Sequence, residues 1–161
     1  LDSCAKYGRL YTWSAAMDSA GTFSTNGKGC GYGKTCSPTY PVRGICPEGW
    51  HLPTKTEFET LFTTVGGDST AGKMLKSTNG WNSNGNGTDA FGFSALPAGG
   101  FSSLSSNSKF SNNGNTASFW SSTSNGPSYA YIMYMYYSNA NGYLDYVKKD
   151  TGGPVRCVKD E

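Results

Sequence analysis

The sequence predicts an α+β domain in which helices come first and an antiparallel sheet follows. An amphipathic helical pattern with capping residues lies in the first half, and short apolar runs separated by Asn, Gly and Ser turns fill the second half. Aromatic residues make up 14% of the chain and charged residues only 15%, which is typical of a folded, loop-rich protein. The 161 residues suffice for one hydrophobic core, so we expect a single domain over residues 1–161.

A first helix is predicted at residues 13–20, where apolar side chains recur at helical spacing. They are Trp13, Ala16, Met17 and Ala20. A Gly- and Pro-rich connection follows over residues 21–47 and contains three cysteines. Of these, Cys30 and Cys36 are close enough in sequence to close a small disulfide loop. The glycines around them do not fit the GxGxxG pattern of a phosphate-binding loop.

The clearest element of the sequence is a second helix that begins after Thr54. Thr54 is a suitable N-cap and Glu57 completes a capping box, while Gly66 and Gly67 end the helix. The buried stripe consists of Phe58, Leu61, Phe62 and Val65. A further helical turn is predicted at residues 70–76.

Strands are predicted in the second half, where Lys109 is the only charged residue between Ala90 and Leu144. Short apolar runs alternate there with polar turns at a spacing typical of an antiparallel sheet. The runs are FGFSALPAGGF, SFWSST, AYIMYMYY and, at the end of the chain, VRCVKD. We expect Trp120, within the second run, to belong to the core.

The segment SYAYIMYMYYSNANGYLDY, residues 128–146, holds seven of the chain's 11 tyrosines. We expect a strand over 129–137 with Ile132 and Met133 in the core, and a polar loop and edge after Tyr137. Tyr, Ser, Asn and Gly are favoured in binding loops, because Tyr offers a large contact area at low entropy cost. The segment therefore predicts a ligand-binding surface, to which the loop with Trp81 and Asn82 also contributes. Its residues are Tyr129, Tyr131, Tyr136, Asn139, Asn141, Tyr143, Asp145, Tyr146, Trp81 and Asn82. The alternative is an aromatic-rich hairpin with an ordinary polar turn.

Charge and cysteine content exclude several classes of protein. A net charge of +2 without a basic stripe argues against nucleic-acid binding. No run of about 18 apolar residues is present, so no membrane span is predicted. The five cysteines form no CxxC pair and the chain has one histidine, so a zinc site is not expected. Disulfides, and hence a secreted or cell-surface location, are the better interpretation.

No catalytic arrangement is evident in the sequence. His51 is the only histidine and lies at a helix entry, where we expect a structural role. A GxSxG nucleophile elbow is absent. Glu57 is expected to cap the helix and Glu59 to face solvent, which leaves no evident carboxylate pair for glycoside hydrolysis. We therefore predict that the protein is not an enzyme.

Five segments together resemble a known family: AKYGRLYTWSAAM, GICPEGWHLPTKTEFETL, FGFSALPAGGF, FWSST and VRCVKD. In these segments the chain is similar to the Fibrobacter succinogenes major paralogous domain, a family of the C-type-lectin-like superfamily in its formylglycine-generating-enzyme-like branch. The resemblance implies two helices packed on a twisted antiparallel sheet with long loops, and a disulfide between Cys46 and Cys157. It also implies a further strand upstream of Leu1, whose absence would leave Cys4 without a partner.

The superfamily also includes a thiol- or copper-dependent oxidase and lectins that bind sugar through calcium. The second half of the chain has only Cys157, and it lacks the Glu-Pro-Asn, Gln-Pro-Asp and Trp-Asn-Asp segments of those lectins. We therefore expect no cofactor, with a structural calcium at Asp68, Asp89 or backbone carbonyls left open. Some C-type-lectin-like proteins are diversified by retroelements that mutate adenines, and the Tyr, Ser, Asn, Asp and Gly residues before VRCVKD fit that hypothesis.

The sequence thus predicts a bacterial, non-enzymatic, extracellular binding module whose ligand is a glycan or a protein on a surface. The alternative is a structural or assembly module of a bacterial surface fibre or complex, in which the tyrosines contact a neighbouring subunit.

Overall fold

A computed structural model describes residues 3–99 and 113–161 of the chain. The helices of these ranges are α1 (Ser3–Tyr7), α2 (Trp13–Ala16), α3 (Lys55–Thr64) and α4 (Asp68–Leu75). The strands are β1 (Trp50–His51), β2 (Thr116–Asn125), β3 (Tyr129–Tyr136), β4 (Gly142–Lys148) and β5 (Val158–Lys159). Strands β2, β3 and β4 form one antiparallel sheet in that order, and β1 pairs with β5 in a second. The α+β class is confirmed.

Helix α3 begins at the capping box that the sequence predicts. The Thr54 hydroxyl accepts a hydrogen bond from the Glu57 N–H at 3.1 Å, and the Glu57 carboxylate accepts one from the Thr54 N–H at 2.7 Å. Gly66 and Gly67, with φ of 105° and 99°, end the helix in a conformation that favours glycine. Helix α4 contains residues 70–75 of the predicted turn and begins two residues before it, while Lys76 is already extended.

Helix α2 is shorter than the predicted helix over residues 13–20. It ends at Ala16 because Asp18 takes a left-handed backbone conformation, with φ of 54°. The Asp18 carboxylate accepts hydrogen bonds from the N–H groups of Thr22, Phe23 and Ser24, so it organises the following loop. Trp13, Ala16 and Met17 are fully buried as the stripe predicts, whereas Ala20 is exposed.

Two apolar cores lie against opposite faces of β3. The helix-side core contains Met133 and Met135 together with side chains of α3 and α4. The N-terminal core contains Ala130 and Ile132 together with residues from the first part of the chain. Each face of β3 is therefore buried over only part of its length, and the two buried parts are offset along the strand. The core positions predicted for Ile132, Met133 and Trp120 are confirmed.

Other strand predictions differ from the structure. Residues 91–99 contain no strand apart from a single bridge between Lys76 and Ala95, and the run's last two residues lie outside the described part. Ser94 has a positive φ of 52°, which interrupts an extended run. Residues 142–146 were expected in a loop and instead belong to β4, where alternate side chains pair with those of β3.

Two disulfides join parts of the chain, Cys30 to Cys36 and Cys46 to Cys157. The second brings the connection before β1 next to the end of the chain, where β5 pairs with β1. Cys4 is a free, exposed thiol. Among the helices of the described ranges, none is both long enough and apolar enough to cross a membrane.

Candidate functional site

The register of β3 and β4 places tyrosines directly opposite one another. Tyr134 pairs with Tyr143, and Tyr131 pairs with Tyr146. Successive side chains of a strand point to opposite faces of the sheet, so these two pairs lie on opposite faces. The tyrosines consequently form two clusters, one on each face and toward opposite ends of β3.

The first group, which we call the Tyr134 cluster, consists of Tyr134, Tyr136 and Tyr143. The rings of Tyr134 and Tyr143 stack with centroids 5.0 Å apart and planes inclined by 13°. The Tyr136 ring meets both of them edge-on, at 5.3 Å and 5.9 Å. Asp145 lies on the same face of β4 as Tyr143, since the two are separated by two positions. Three rings and one carboxylate thus share one patch of the sheet.

Burial raises the pKa of the Tyr134 phenol, and the neighbouring Tyr136, Asp145 and Tyr143 raise it further. The phenol therefore stays protonated across the physiological range and acts as a neutral hydrogen-bonding group. Tyr136, with 42% of its surface exposed, presents the most open ring of this cluster.

The second group, which we call the Tyr146 cluster, consists of Tyr129, Tyr131 and Tyr146. The Tyr146 ring meets Tyr129 edge-on at 5.6 Å and Tyr131 edge-on at 5.9 Å. The Lys55 ammonium, at the start of α3, lies 4.8 Å from the centroid of the Tyr131 ring. Lys55 also pairs with Glu59 one helical turn later. This face is therefore aromatic and flanked by a cation, whereas the Tyr134 cluster is flanked by a carboxylate.

The turn between β3 and β4 is held by its own side chains and by α4. The Asn139 side chain accepts a hydrogen bond from the Asn141 N–H, and the Ala140 carbonyl accepts one from the Lys73 N–H. The turn packs so closely on α4 that a Cβ at Gly72 would lie 2.2 Å from the Asn141 carbonyl oxygen. Asn139 and Asn141 lie in the turn between β3 and β4, and their contact shapes the turn.

The structure places Trp81 in the core rather than on a binding surface. Only 6% of its surface is exposed, and its indole N–H donates to the Ser77 hydroxyl and the Ala95 carbonyl. The indole packs among the helix-side residues because the loop turns inward at this point. Asn82 is exposed, and its amide donates to the side chain of Asn115.

The predicted set is therefore not one surface. Tyr136, Tyr143 and Asp145 come together on one face, and Tyr129, Tyr131 and Tyr146 on the other. Sequence reasoning missed Tyr134 and Lys55. Tyr134 could have been found from strand alternation, since it is two positions from Tyr136. Lys55 lies far from the strands in sequence, and only its position at the start of α3 brings it to Tyr131.

His51 is buried between two carboxylates. Its Nδ1 lies 2.6 Å from Asp160 and its Nε2 lies 2.8 Å from Glu57. Burial lowers the pKa of His51, but the two carboxylates outweigh burial and the net direction is upward. When it is protonated, the imidazole joins the entry of α3 to the end of the chain by two ion pairs. The structural role expected for this histidine agrees with that geometry.

In the part of the chain that the structure describes, no group of three or more His, Cys, Asp or Glu side chains is arranged to hold a metal ion. Asp68 accepts a hydrogen bond from the Ser69 N–H, and Asp89 accepts bonds from the N–H and hydroxyl of Ser94. The Asp68 carboxylate is thus bonded within the first turn of α4, and the Asp89 carboxylate within its own loop.

The model of the family described as "Fibrobacter succinogenes major domain" matches residues 2–159 of this chain. That range includes all the elements from α1 to β5. The chain belongs to this family. No curated protein and no solved structure matches it. The family resemblance seen in the five sequence segments is therefore confirmed over nearly the whole chain.

Proposed function

We propose that this member of the Fibrobacter succinogenes major domain family is a bacterial, non-enzymatic, extracellular binding module with a C-type-lectin-like fold. It binds a glycan or a protein through the Tyr134 cluster. The observation that carries the proposal is the packing of three tyrosines into one partly exposed patch beside Asp145.

The Tyr134 cluster suits recognition because its rings are fixed before a ligand arrives. Stacking of Tyr134 on Tyr143 holds both side chains in one arrangement, so little rotamer entropy remains to be lost on binding. Each ring offers an apolar edge or face together with a hydroxyl, and Asp145 adds a hydrogen-bond acceptor. Such a patch can contact a sugar ring or a protein side chain.

The surroundings of His51 support a binding role over a catalytic one. Both ring nitrogens are engaged by carboxylates, which leaves neither nitrogen free to take a proton from a substrate. Glu57 is also committed to the N-cap of α3. The two disulfides support an extracellular location, because such bonds persist in oxidising compartments.

The test is a binding screen against a glycan array and a panel of bacterial and host surface proteins. Tyr143→Ala should reduce binding to any hit by about tenfold or more, because it removes the ring on which Tyr134 stacks. Tyr146→Ala is the matched control, since it removes a tyrosine from the same strand on the opposite face. Equal binding by wild type and Tyr143→Ala would contradict the proposal.

A second candidate is an assembly module, which the edge of β4 favours. Strand β4 pairs with β3 on one side, and in the described ranges no strand pairs with its other side. An open edge can pair with a strand of another chain. Concentration-dependent self-association in sedimentation experiments, lost in Tyr143→Ala, would support assembly over binding of a foreign ligand.

The retroelement hypothesis concerns how the tyrosines arose. It is consistent with Tyr, Ser, Asn, Asp and Gly residues placed on β3, its turn and β4. A reverse-transcriptase gene with a template repeat beside the coding sequence would support it, and a locus without either would contradict it.

A further inference from the structure

A cavity of about 340 Å³ lies between the end of α4, the loop at residues 83–86 and the turn at residues 137–140. Its polar lining residues include Lys73, Lys76, Ser83, Asn84, Asn86 and Asn139, and Tyr137 and Ala140 add apolar surface. It contains none of the six rings of the tyrosine clusters. The cavity is thus a separate feature of the molecule, close to the β3–β4 turn.

Lys76, one of the residues that line the cavity, is a buried lysine. Only 3% of the residue is exposed, and its Nζ donates to the carbonyl oxygens of Tyr136 and Asn139, at 3.0 Å and 2.9 Å. The ammonium also lies 5.0 Å from the centroid of the Trp81 ring. These neutral partners hold the amine in place but supply no opposite charge, and burial lowers the pKa of Lys76. An ammonium has three N–H donors, and two are used here.

No carboxylate neutralises the charge of Lys76 within the described ranges. The ion pairs found there join His51 to Glu57 and Asp160, and Lys55 to Glu59. None of the described residues that line the cavity is acidic, while Lys73 adds a second, exposed cation. A buried cation without a counter-charge is costly, so an anion that enters the cavity gains a favourable partner.

The remaining lining suits a ligand rich in hydroxyl groups. Asn84, Asn86, Ser83 and Ser138 carry amide or hydroxyl groups that both donate and accept hydrogen bonds. The volume is near the lower end of the range for small-molecule sites, so it fits one sugar-sized ring rather than an extended chain. The two lysines favour a ligand with an acidic group. The Asn and Ser side chains favour a ligand that also carries hydroxyl groups next to that acidic group.

We propose that this cavity is a binding site for a carboxylate-bearing sugar, with the carboxylate held by Lys76 and Lys73. Ser83, Asn84, Asn86 and Asn139 contact the hydroxyl groups of the ring. The site does not depend on the tyrosine clusters, so its presence and theirs are tested separately. It would add selectivity for acidic glycans to a domain whose other candidate surfaces are aromatic.

The test is an NMR titration of the folded, disulfide-bonded chain with glucuronate, glucose and inorganic phosphate. Glucuronate should shift the backbone amide signals of residues 83–86 and 137–140. Glucose, which replaces the carboxylate by a hydroxymethyl group, should bind about tenfold to a hundredfold more weakly. Phosphate should also bind more weakly, because it lacks the sugar hydroxyls.

Two lysine variants and one control complete the experiment. Lys76→Met should abolish the glucuronate shifts, and Lys73→Glu should weaken binding by about tenfold or more, because it places a negative charge at the rim. Lys73 is exposed, so its substitution should leave the fold intact. If Lys76→Met does not fold, Lys73→Glu therefore tests whether the lysines bind the carboxylate. Lys55→Gln, which removes a cation elsewhere, should leave binding unchanged.

Three results would overturn the site. They are no glucuronate shifts at millimolar concentration, equal binding of glucose and glucuronate, or binding of phosphate as tight as that of glucuronate. Tyr143→Ala should leave the glucuronate shifts in place, so failure of this site and failure of the Tyr134 cluster are distinguishable.

Discussion

Removal of the Cys46–Cys157 disulfide should destabilise the protein far more than removal of the Cys30–Cys36 disulfide. The two bonds offer a matched comparison, because each joins one buried cysteine to one half-buried cysteine. Replacing either pair by alanine therefore removes similar packing. What differs is the length of chain that each bond closes, which is 111 residues in one case and 6 in the other.

The magnitude follows from the entropy of the unfolded chain. In the loop-closure treatment, the long loop contributes about 4.8 kcal/mol to the free energy of unfolding and the short loop about 2.2 kcal/mol. The difference, about 2.6 kcal/mol, depends only on the ratio of the two loop lengths. For a protein of this size it corresponds to a difference in Tm of about 5–10 °C.

Urea unfolding followed by circular dichroism would measure both variants. Cys4 should be replaced by serine in every protein, because its free, exposed thiol can exchange with a disulfide. If the long-loop variant is unfolded in buffer, sucrose added equally to all samples brings it into range. Equal losses of stability, or a larger loss for the short loop, would refute the reasoning from loop length.

Two further predictions concern pH and packing. The pKa of His51 is raised and that of Glu57 is lowered, so the histidine contribution to stability is complete below its ordinary pKa of 6.5 and is lost as pH rises through the raised value. The contribution of Glu57 to stability is complete above its ordinary pKa of 4.5 and is lost as pH falls through the lowered value. Unfolding experiments should therefore find the largest free energy of unfolding between pH 4.5 and pH 6.5. His51→Gln should reduce the decrease in the free energy of unfolding that the wild type shows as pH rises above 6.5. An unchanged dependence on pH would contradict the role given to His51. Gly142→Ala should cost about 1–3 kcal/mol in urea unfolding, because the new Cβ would lie 2.7 Å from Cζ of Phe62. Gly152→Ala, whose Cβ would meet only ordinary contacts, is the control, and equal effects of the two changes would argue against the close approach.

Helix α3 and strand β3 could be predicted because the residues that determine them lie close together in sequence. The capping box of Thr54 and Glu57 needs only residues three positions apart, and the glycines after α3 end it for a local reason. Strand β3 was predictable from its aromatic and β-branched content. Strand β4 was not, since Asn, Gly and Asp in its surroundings are typical of a loop and only its pairing with β3 makes it a strand.

The division of the tyrosines between two faces required tertiary information. Alternation along β3 shows that Tyr134 and Tyr131 point in opposite directions, but it does not show which part of each face is covered. The covered part of each face depends on where α3, α4 and the N-terminal segment pack. This packing consists of contacts between residues far apart in sequence.

Buried lysines were also beyond the reach of the sequence. Lys149 lies in the polar run YVKKD, yet it is fully buried, donates to the Gly126 carbonyl and lies 4.4 Å from the centroid of the Trp13 ring. Lys76 is similarly buried, and the sequence around neither lysine predicts that burial.

The centre of strand β3 is buried, and its two ends are exposed. Ile132 and Met133 hold the sheet between the two cores, while Tyr129 and Tyr136, at opposite ends, expose 38% and 42% of their surface. Neither exposed ring is a member of the two cores. The strand is therefore a scaffold on which binding specificity can diverge at both ends, on two faces independently, while the central residues preserve the fold.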